Sequence, residues 1–293
     1  MDKLHRPVMV KEVLACLINS SREGIYVDCT AGSGGHSQFL LENCSNIKII
    51  AFDQDQTAIS RCQQNPFFSS RIITFFNDNF VNFSTHLSRL NVAGVDGFLF
   101  DLGVSSEQIA DTERGFSYRQ DAPLDMRMDE RNKLTAQDIV NSYSYRELVK
   151  IFSDYGEERK AKKIAERICQ YRRKEKITTT QQLVKIIVGC QTVKSKKHPA
   201  RRVFQALRIV VNRELVSLVQ TLELAFSYLN IGGRIVVISY HSLEDRIVKQ
   251  IFKKYGRLGF QVITKKPLVA SGQEISENRR ARSAKMRVII RWD

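Results

Sequence analysis

Long apolar stretches are missing from this sequence. No run approaches the roughly 20 residues that a membrane helix needs, and Met1 to His5 contain no apolar stretch of the signal-peptide type. We therefore expect a cytoplasmic protein without a membrane partner. Internal repeats and low-complexity tracts are missing too, and 43% hydrophobic with 26% charged residues is typical of a folded chain.

Paired cysteines are also missing. Six cysteines occur among 293 residues, none with C-x-x-C spacing, and most lie inside apolar segments. This pattern indicates reduced, packed thiols rather than a disulfide framework or a zinc site.

Basic residues are scarce in residues 1–110, although the whole chain has a formal net charge of +15. Residues 1–110 carry −3, so the remainder carries +18, concentrated in 156–176, 194–213 and 246–293. Solvated helices also carry such charge. Three basic regions beside an acidic one nevertheless favour nucleic-acid phosphates as a partner.

Short apolar runs alternate with helical spacing at both ends of the chain. The runs lie at 24–29, 47–52, 71–76, 97–101 and 232–239. Continuous apolar strands separated by helices predict an α/β fold with a doubly wound, mostly parallel sheet. Segments 260–263 and 285–292 are expected to add a terminal antiparallel pair.

The alternation stops in the middle of the chain, where the pattern is helical and charged. We expect an inserted all-helical domain at 111–200, between a first core part at 1–110 and a second at 201–293. A long helix from Arg201 to Leu229 is expected to lead back into the sheet.

A glycine cluster, Gly32-Ser33-Gly34-Gly35, lies between the first strand and a helix. Such a loop lets the backbone approach a ligand closely. Asp53 follows the next strand, where a carboxylate can accept both hydroxyls of a ribose. Its alternative role is a helix cap, since Asp53 and Asp55 both precede helical spacing. Together these features predict an adenosine-type cofactor.

A nicotinamide dinucleotide and S-adenosylmethionine compete for this arrangement. The dinucleotide needs a second mononucleotide half and a hydride-accepting site, and the sequence shows neither. The terminal antiparallel pair favours the methyltransferase plan. A Walker loop is excluded because no G-K-S/T follows the glycines.

Asp101 ends the fourth predicted strand, where an open α/β sheet places its reactive groups. It can accept a hydrogen bond from an exocyclic amine or from the cofactor, or simply cap a loop.

Methylating carbon 5 of a pyrimidine needs a thiolate, and Cys29 is the one cysteine near a predicted strand end. The H-x-E and P-C-x-x-C motifs of zinc deaminases are missing. Transfer to nitrogen needs neither nucleophile nor metal, only in-line placement.

Eight short motifs follow one another along nearly the whole chain. They are His5-Arg6-Pro7-Val8-Met9, Asp28-Cys29-Thr30-Ala31-Gly32-Ser33-Gly34-Gly35-His36-Ser37, Asp101-Leu102-Gly103-Val104-Ser105-Ser106, Arg114-Gly115-Phe116-Ser117, Pro123-Leu124-Asp125-Met126-Arg127-Met128-Asp129, Tyr155-Gly156-Glu157-Glu158, Phe204-Gln205-Ala206-Leu207-Arg208-Ile209 and His241-Ser242-Leu243-Glu244-Asp245-Arg246. In this order they closely resemble the bacterial 16S rRNA (cytosine-N4)-methyltransferase family, RsmH, also called MraW.

The resemblance implies a class I S-adenosylmethionine-dependent methyltransferase fold, with S-adenosylmethionine as donor and no metal. The implied acceptor is N4 of a cytidine in the decoding region of 16S rRNA in the small ribosomal subunit, with the helical insert helping to hold RNA. Asp101 is the candidate catalytic residue. Motif matching assigns cofactor contacts to Gly34, Gly35, His36, Asp53, Phe80, Asp101 and Gln108. The resemblance alone places Phe80 against the adenine.

Some polar residues lie outside these assignments. His241 is a candidate base, but Ser242-Leu243-Glu244-Asp245 has the shape of a capping box, which favours helix initiation.

The family usually has a proline where this chain has Arg279, and the segment 246–277 is shorter here than in many relatives. Candidate phosphate contacts are Arg201, Arg202, Arg208, Lys265, Lys266, Arg280 and Arg282.

Two alternatives remain open. One is a non-catalytic RNA-binding or ribosome-assembly protein on a methyltransferase scaffold, against which the intact glycines, Asp53 and Asp101 argue. The other is methyl transfer to a different acceptor, such as DNA or a protein. DNA amino-methyltransferases typically carry an Asp/Asn/Ser-Pro-Pro-aromatic loop, where this chain has Asp101-Leu102-Gly103-Val104. A monomer and a weak dimer are both compatible with the sequence.

Overall fold

The computed structural model describes residues 7–18, 22–190 and 197–293. The chain divides into two compact units, Met1–Gly103 with Leu215–Asp293, and Val104–Glu214. The second unit starts earlier and ends later than the expected insert at 111–200. His5-Arg6 of the first motif and 194–196 of the second basic region lie outside the described residues.

The first unit is built on a single sheet. Its strands in the described ranges are β1 (Glu23–Asp28), β2 (Asn46–Asp53), β3 (Ile73–Asn77), β4 (Val95–Asp101), β5 (Leu229–Ser239), β6 (Phe260–Val262) and β7 (Lys285–Arg291). They are ordered β3-β2-β1-β4-β5-β7-β6. Neighbouring strands from β3 to β5 are parallel, and β7 is antiparallel to both β5 and β6. The predicted mostly parallel sheet and its terminal antiparallel pair are confirmed.

Both faces of the sheet are buried. On β2, Ile49 packs into the cluster on one face and Ile50 into the cluster on the other, and Val236 and Val237 divide in the same way on β5. This burial explains why the strands are continuous apolar runs. The helices of this unit are α1 (Val10–Leu17), α2 (Gly35–Asn43), α3 (Gln56–Gln64), α4 (Pro66–Ser69), α5 (Phe83–Arg89), α12 (Glu214–Tyr228), α13 (Ser242–Tyr255) and α14 (Gly272–Glu277).

The second unit is helical in the part that the structure describes. Its helices are α6 (Ser106–Ala110), α7 (Ala136–Ser142), α8 (Tyr145–Asp154), α9 (Ala161–Arg172), α10 (Thr180–Val188) and α11 (Arg201–Val211). The apolar faces of α7 to α11 share one core that includes Phe152, Ile164 and Leu207. Among all described residues, no helix combines the length and the apolar character that crossing a bilayer requires.

The expected long helix from Arg201 to Leu229 is wrong, because the chain breaks between α11 and α12. Arg213 has a φ of 52°, in the left-handed region. The Asn212 side chain accepts the Met128 N–H at 2.7 Å and donates to the Met126 carbonyl at 2.8 Å. These bonds to a distant segment stabilise the break, which leaves α11 in the helical unit and almost all of α12 in the sheet unit.

Candidate active site

One edge of the sheet collects the candidate residues of the first unit. The glycine loop follows β1, Asp53 ends β2, Phe80 comes shortly after β3, Asp101 ends β4 and Tyr240 follows β5. The strand order reverses at β1, which lies between β2 and β4. Ligands of open α/β sheets bind in the crevice at this kind of edge.

The glycine loop has a conformation that side chains resist. Gly32 and Gly34 have φ values of 51° and 80°, in the region that glycine alone adopts readily. A Cβ on Gly34 would lie 2.7 Å from the Phe68 ring, whereas a Cβ on Gly32 would meet no atom within 4 Å. Packing therefore requires a glycine at position 34, while Gly32 borders open space. Gly35 begins α2 and supplies one of the free N–H groups of its first turn.

Asp53 connects the end of β2 to the glycine loop. Its carboxylate accepts the Gly32 N–H at 2.8 Å and the Asp55 N–H at 2.9 Å. Burial raises the pKa of Asp53 to about 6 against these hydrogen bonds, with smaller contributions from the charges of Asp55 and Asp28. The capping alternative falls on Asp55, whose side chain accepts the Thr57 N–H and caps α3.

Asp101 lies beside the glycine loop at the end of β4. Its backbone N–H donates to Thr30 Oγ1 at 2.7 Å. Its Oδ1 accepts the Tyr240 hydroxyl at 2.6 Å, and its Oδ2 lies 3.7 Å from His36 Nδ1. The buried His36 donates through Nε2 to the Val8 carbonyl at 2.9 Å, which leaves Nδ1 as an acceptor in the neutral ring.

Two residues of this edge are not among the candidates predicted from the sequence. Asp28, which is 2% exposed, accepts the Ser37 hydroxyl at 2.7 Å and the Thr30 N–H at 3.1 Å. Burial raises the pKa of Asp28 in spite of these bonds. Tyr240 is the second. Both lie where a strand meets its following loop, the same signal that singled out Asp53 and Asp101.

Phe80 opens a short 3-10 turn, Phe80–Asn82, and its half-buried ring contacts the edge of Phe100 at a centroid distance of 5.8 Å. Asp78 anchors the turn, because its Oδ1 accepts the Asn82 side-chain N–H at 2.9 Å while its Oδ2 lies 2.9 Å from His86 Nε2. Burial would raise the pKa of Asp78, but hydrogen bonds from His86 and Asn82 outweigh it and lower the pKa. The ring thus sits on a fixed turn at the carboxyl edge.

Gln108 belongs to the helical unit. Its Oε1 accepts the Ser105 N–H at 3.0 Å, and its N–H donates to Ser105 Oγ at 3.0 Å, forming a capping box that begins α6. The other cofactor candidates all belong to the sheet unit.

The capping box predicted at Ser242–Asp245 is present one residue earlier, with His241 as the cap of α13 and Glu244 as its partner. His241 Nδ1 accepts the Glu244 N–H at 3.4 Å, and Glu244 Oε2 accepts the His241 N–H at 3.2 Å. An imidazole nitrogen replaces the serine hydroxyl of the usual box. This capping role accounts for His241 without acid–base chemistry.

The candidate phosphate contacts differ in their availability. Arg208 makes a bidentate ion pair with Glu214, with both bonds at 2.8 Å, and 15% of its side chain is exposed. Its structural role makes it a poor phosphate contact. Arg280 is half-buried, and the exposed candidates are Arg201, Arg202, Lys265, Lys266 and Arg282.

The strand order with its final antiparallel strand, the glycine loop after β1 and the carboxylate after β2 define a class I S-adenosylmethionine-dependent methyltransferase. The sequence model of the MraW methylase family matches residues 2–292. The chain therefore belongs to the MraW methylase family, which confirms the predicted resemblance, the class of enzyme and the donor.

Curated relatives resemble the chain over almost its whole length. Ribosomal RNA small subunit methyltransferase H of Lactiplantibacillus plantarum is 45% identical and aligns over 98% of this chain and 97% of the relative. The protein of the same name from Spiroplasma kunkelii is 45% identical over 99% of both chains. That from Endomicrobium trichonymphae is 47% identical over 97% of both.

Proposed function

We propose that this protein transfers the methyl group of S-adenosylmethionine to the exocyclic N4 of a cytidine in the decoding region of 16S rRNA, in the small ribosomal subunit. The observation that carries the proposal is the Asp101 carboxylate, held beside the glycine loop with Oδ2 not bonded to Tyr240. The names of the relatives, each a small-subunit rRNA methyltransferase, support the class of acceptor.

The residues of the edge fit the donor. The open space at Gly32 admits a ligand against the loop backbone, and Asp53 offers its carboxylate for the two ribose hydroxyls. Phe80 provides a ring for the adenine, while Gly34, Gly35 and His36 shape the start of α2. The resemblance to the family also assigns Gln108 to the donor. The donor supplies an electrophilic methyl on a cationic sulfonium, which suits an edge that also contains Asp28 and Asp101.

Asp101 has a specific task in this chemistry. The lone pair of a cytosine amine is delocalised into the ring, so the amine is a weak nucleophile. By accepting one N–H of the amine, the Asp101 carboxylate favours a pyramidal nitrogen with its lone pair available. Reaching the edge requires the cytidine to be flipped out of its stack. The binding energy of the surrounding RNA then serves to align the amine with the methyl group.

The thiols near the edge argue for nitrogen rather than carbon as the acceptor. Methylating carbon 5 of a pyrimidine requires a thiolate. Cys29 is buried, and burial together with the negative charge of Asp28 raises its pKa far above the usual value. Burial, with Asp28 and Asp53, likewise raises the pKa of Cys62 to about 12. Neither thiol is therefore activated as a nucleophile.

The helical unit and the chain's C-terminal part supply charge for RNA. The basic region 156–176 overlaps α9, and Arg201 and Arg202 are exposed at the start of α11. We assign these cations to rRNA phosphates. An rRNA substrate would place the protein in the bacterial cytoplasm.

The decisive experiment is methylation of small subunits that lack the modification, with labelled donor, followed by nucleoside mapping. Label in N4-methylcytidine at the decoding region is expected. Label in another nucleoside would overturn the choice of acceptor. Binding of subunits without any label in RNA would instead support the non-catalytic assembly protein.

Asp101→Asn tests the role of the carboxylate in the same assay. The amide keeps the shape of the side chain but loses its charge, so we expect little methyl transfer. If the variant kept both donor affinity and turnover, the assigned role of Asp101 would be wrong.

A further inference from the structure

Tyr240 is bonded directly to the proposed catalytic carboxylate. Its hydroxyl donates to Asp101 Oδ1 at 2.6 Å, in the short range of hydrogen bonds to ionised acceptors. Asp101 ends β4 and Tyr240 directly follows the neighbouring strand β5, in which Ile238 pairs with Asp101. The contact thus joins the loops that follow β4 and β5.

Tyr240 is itself held in place. Its backbone N–H donates to Glu244 Oε2 at 2.8 Å, the oxygen that also accepts the His241 N–H. Its ring lies over Gly103, where a Cβ would be 3.6 Å from Tyr240 Cδ2. The start of α13 therefore fixes the position from which the hydroxyl reaches Asp101.

The hydroxyl keeps its proton at neutral pH. Burial raises the pKa of Tyr240 well above its usual value, and the charge of Asp101 together with the hydrogen bond adds to the rise. Glu244 raises it further, and Arg280 opposes the shift. Tyr240 is therefore a permanent donor rather than a proton acceptor.

Resting on the proposed transfer to N4, we propose that Tyr240 is a positioning residue that occupies Asp101 Oδ1 and directs Oδ2 to the target amine. A carboxylate held by one donor cannot rotate freely, so a single oxygen remains for the substrate. Thr30 fixes the backbone of Asp101 from the other side through its 2.7 Å bond. Tyr240 then acts on the rate of transfer and not on the binding of the donor.

Tyr240→Phe removes the hydroxyl and keeps the ring. A hydrogen bond to a charged group contributes about 1.5–3 kcal/mol, so we expect the single-turnover rate with saturating donor to fall about 10- to 100-fold. The donor Kd, measured by calorimetry, should stay within about 2-fold because the ring and backbone contacts remain. Tyr255→Phe is the matched control, because it removes a hydroxyl on α13 that donates to the Glu223 carbonyl at 3.3 Å.

A double-mutant cycle with Asp101→Asn tests whether Tyr240 acts through Asp101. The effect of Tyr240→Phe should vanish in the Asp101→Asn background. An equal loss in both backgrounds, a weakened donor Kd with an unchanged rate, or a wild-type rate in Tyr240→Phe would each overturn the inference.

The product analysis separates this inference from the proposed function. If the wild type forms a product other than N4-methylcytidine, the proposed function fails. If it forms N4-methylcytidine and Tyr240→Phe does so at the same rate, the role of Tyr240 alone fails.

Discussion

The Gly32 N–H donates to Asp53 Oδ2 at 2.8 Å, so one hydrogen bond joins the glycine loop after β1 to the carboxylate after β2. Two features that are 21 residues apart in the chain therefore form one structural unit. Through this bond Asp53 stabilises the glycine loop, and we propose that it also accepts hydrogen bonds from the ribose hydroxyls. Its substitution should reveal both roles.

Asp53→Asn should weaken binding of S-adenosylmethionine about 10- to 100-fold, because an amide has one acceptor oxygen where a ribose diol needs two and hydrogen bonds to a charge contribute about 1.5–3 kcal/mol. Isothermal titration calorimetry measures the change directly. Asp55→Asn is the control, since it removes a charge two residues away while asparagine still caps α3. Equal weakening in both variants would show that the charge of the loop matters and not the contact.

The raised pKa of Asp53 predicts that donor binding depends on pH. With a pKa of about 6, roughly a tenth of the carboxyl is ionised at pH 5, so affinity should fall about 10-fold between pH 7.5 and 5 if the ionised form binds. Calorimetry at both pH values measures the ratio. The ratio should be near one for Asp53→Asn, and a pH dependence shared by both proteins would assign it to another group.

The same carboxyl should affect the stability of the unliganded protein with the opposite sign. Its folded pKa of about 6 lies above the ordinary aspartate pKa of 3.8. Its favourable contribution is therefore complete below about pH 4 and is lost as pH rises through 6. Urea unfolding should show that Asp53→Asn becomes more stable relative to the wild type between pH 4 and 7. A constant difference would contradict the raised pKa.

Gly32 and Gly34 should respond differently to alanine. Both φ values are positive, which costs an alanine about 1–2 kcal/mol. Gly34→Ala also brings the new Cβ into collision with the Phe68 ring, which should reduce the free energy of unfolding by a further ~1–3 kcal/mol. Gly32→Ala meets no protein atom, so its main effect should be weaker donor binding. Thermal unfolding and calorimetry on both variants separate the effects, and equal stability losses would refute the distinction.

The sequence predicted the sheet well because its strands are buried on both faces. Burial of Ile49 and Ile50 on opposite faces of β2 leaves a continuous apolar run, which is readable without tertiary information. The break before α12 was missed for the opposite reason. It depends on bonds from Asn212 to Met126 and Met128, more than 80 residues away, and no local pattern records them.

The residues of the candidate site were also predictable only in part from the sequence. Strand ends were predictable, so Asp53 and Asp101 were found from their positions after apolar runs. Which neighbour caps a helix was not predictable, because Asp53 and Asp55 both precede α3 and only the hydrogen bonds tell them apart. The bond from Tyr240 to Asp101 spans 139 residues and follows from the pairing of β4 with β5.

Arg201 and Arg208 lie two turns apart on α11 and should behave differently in RNA binding. Arg201 is exposed, whereas Arg208 is paired with Glu214. Arg201→Gln should lower the slope of log affinity against log salt by about one, as expected for a lost phosphate contact. Fluorescence anisotropy with a 16S rRNA fragment at several KCl concentrations measures this slope.

Arg208→Gln is the matched substitution on the same helix. It leaves the largely buried Glu214 without its partner and should destabilise the protein by up to about 3 kcal/mol, while the salt slope of the folded protein stays unchanged. Urea unfolding gives the first quantity and anisotropy the second. A slope that falls for Arg208→Gln and not for Arg201→Gln would reverse the assignment of the two arginines. An affinity of the wild type that does not depend on salt would remove the basis for assigning phosphate contacts to either.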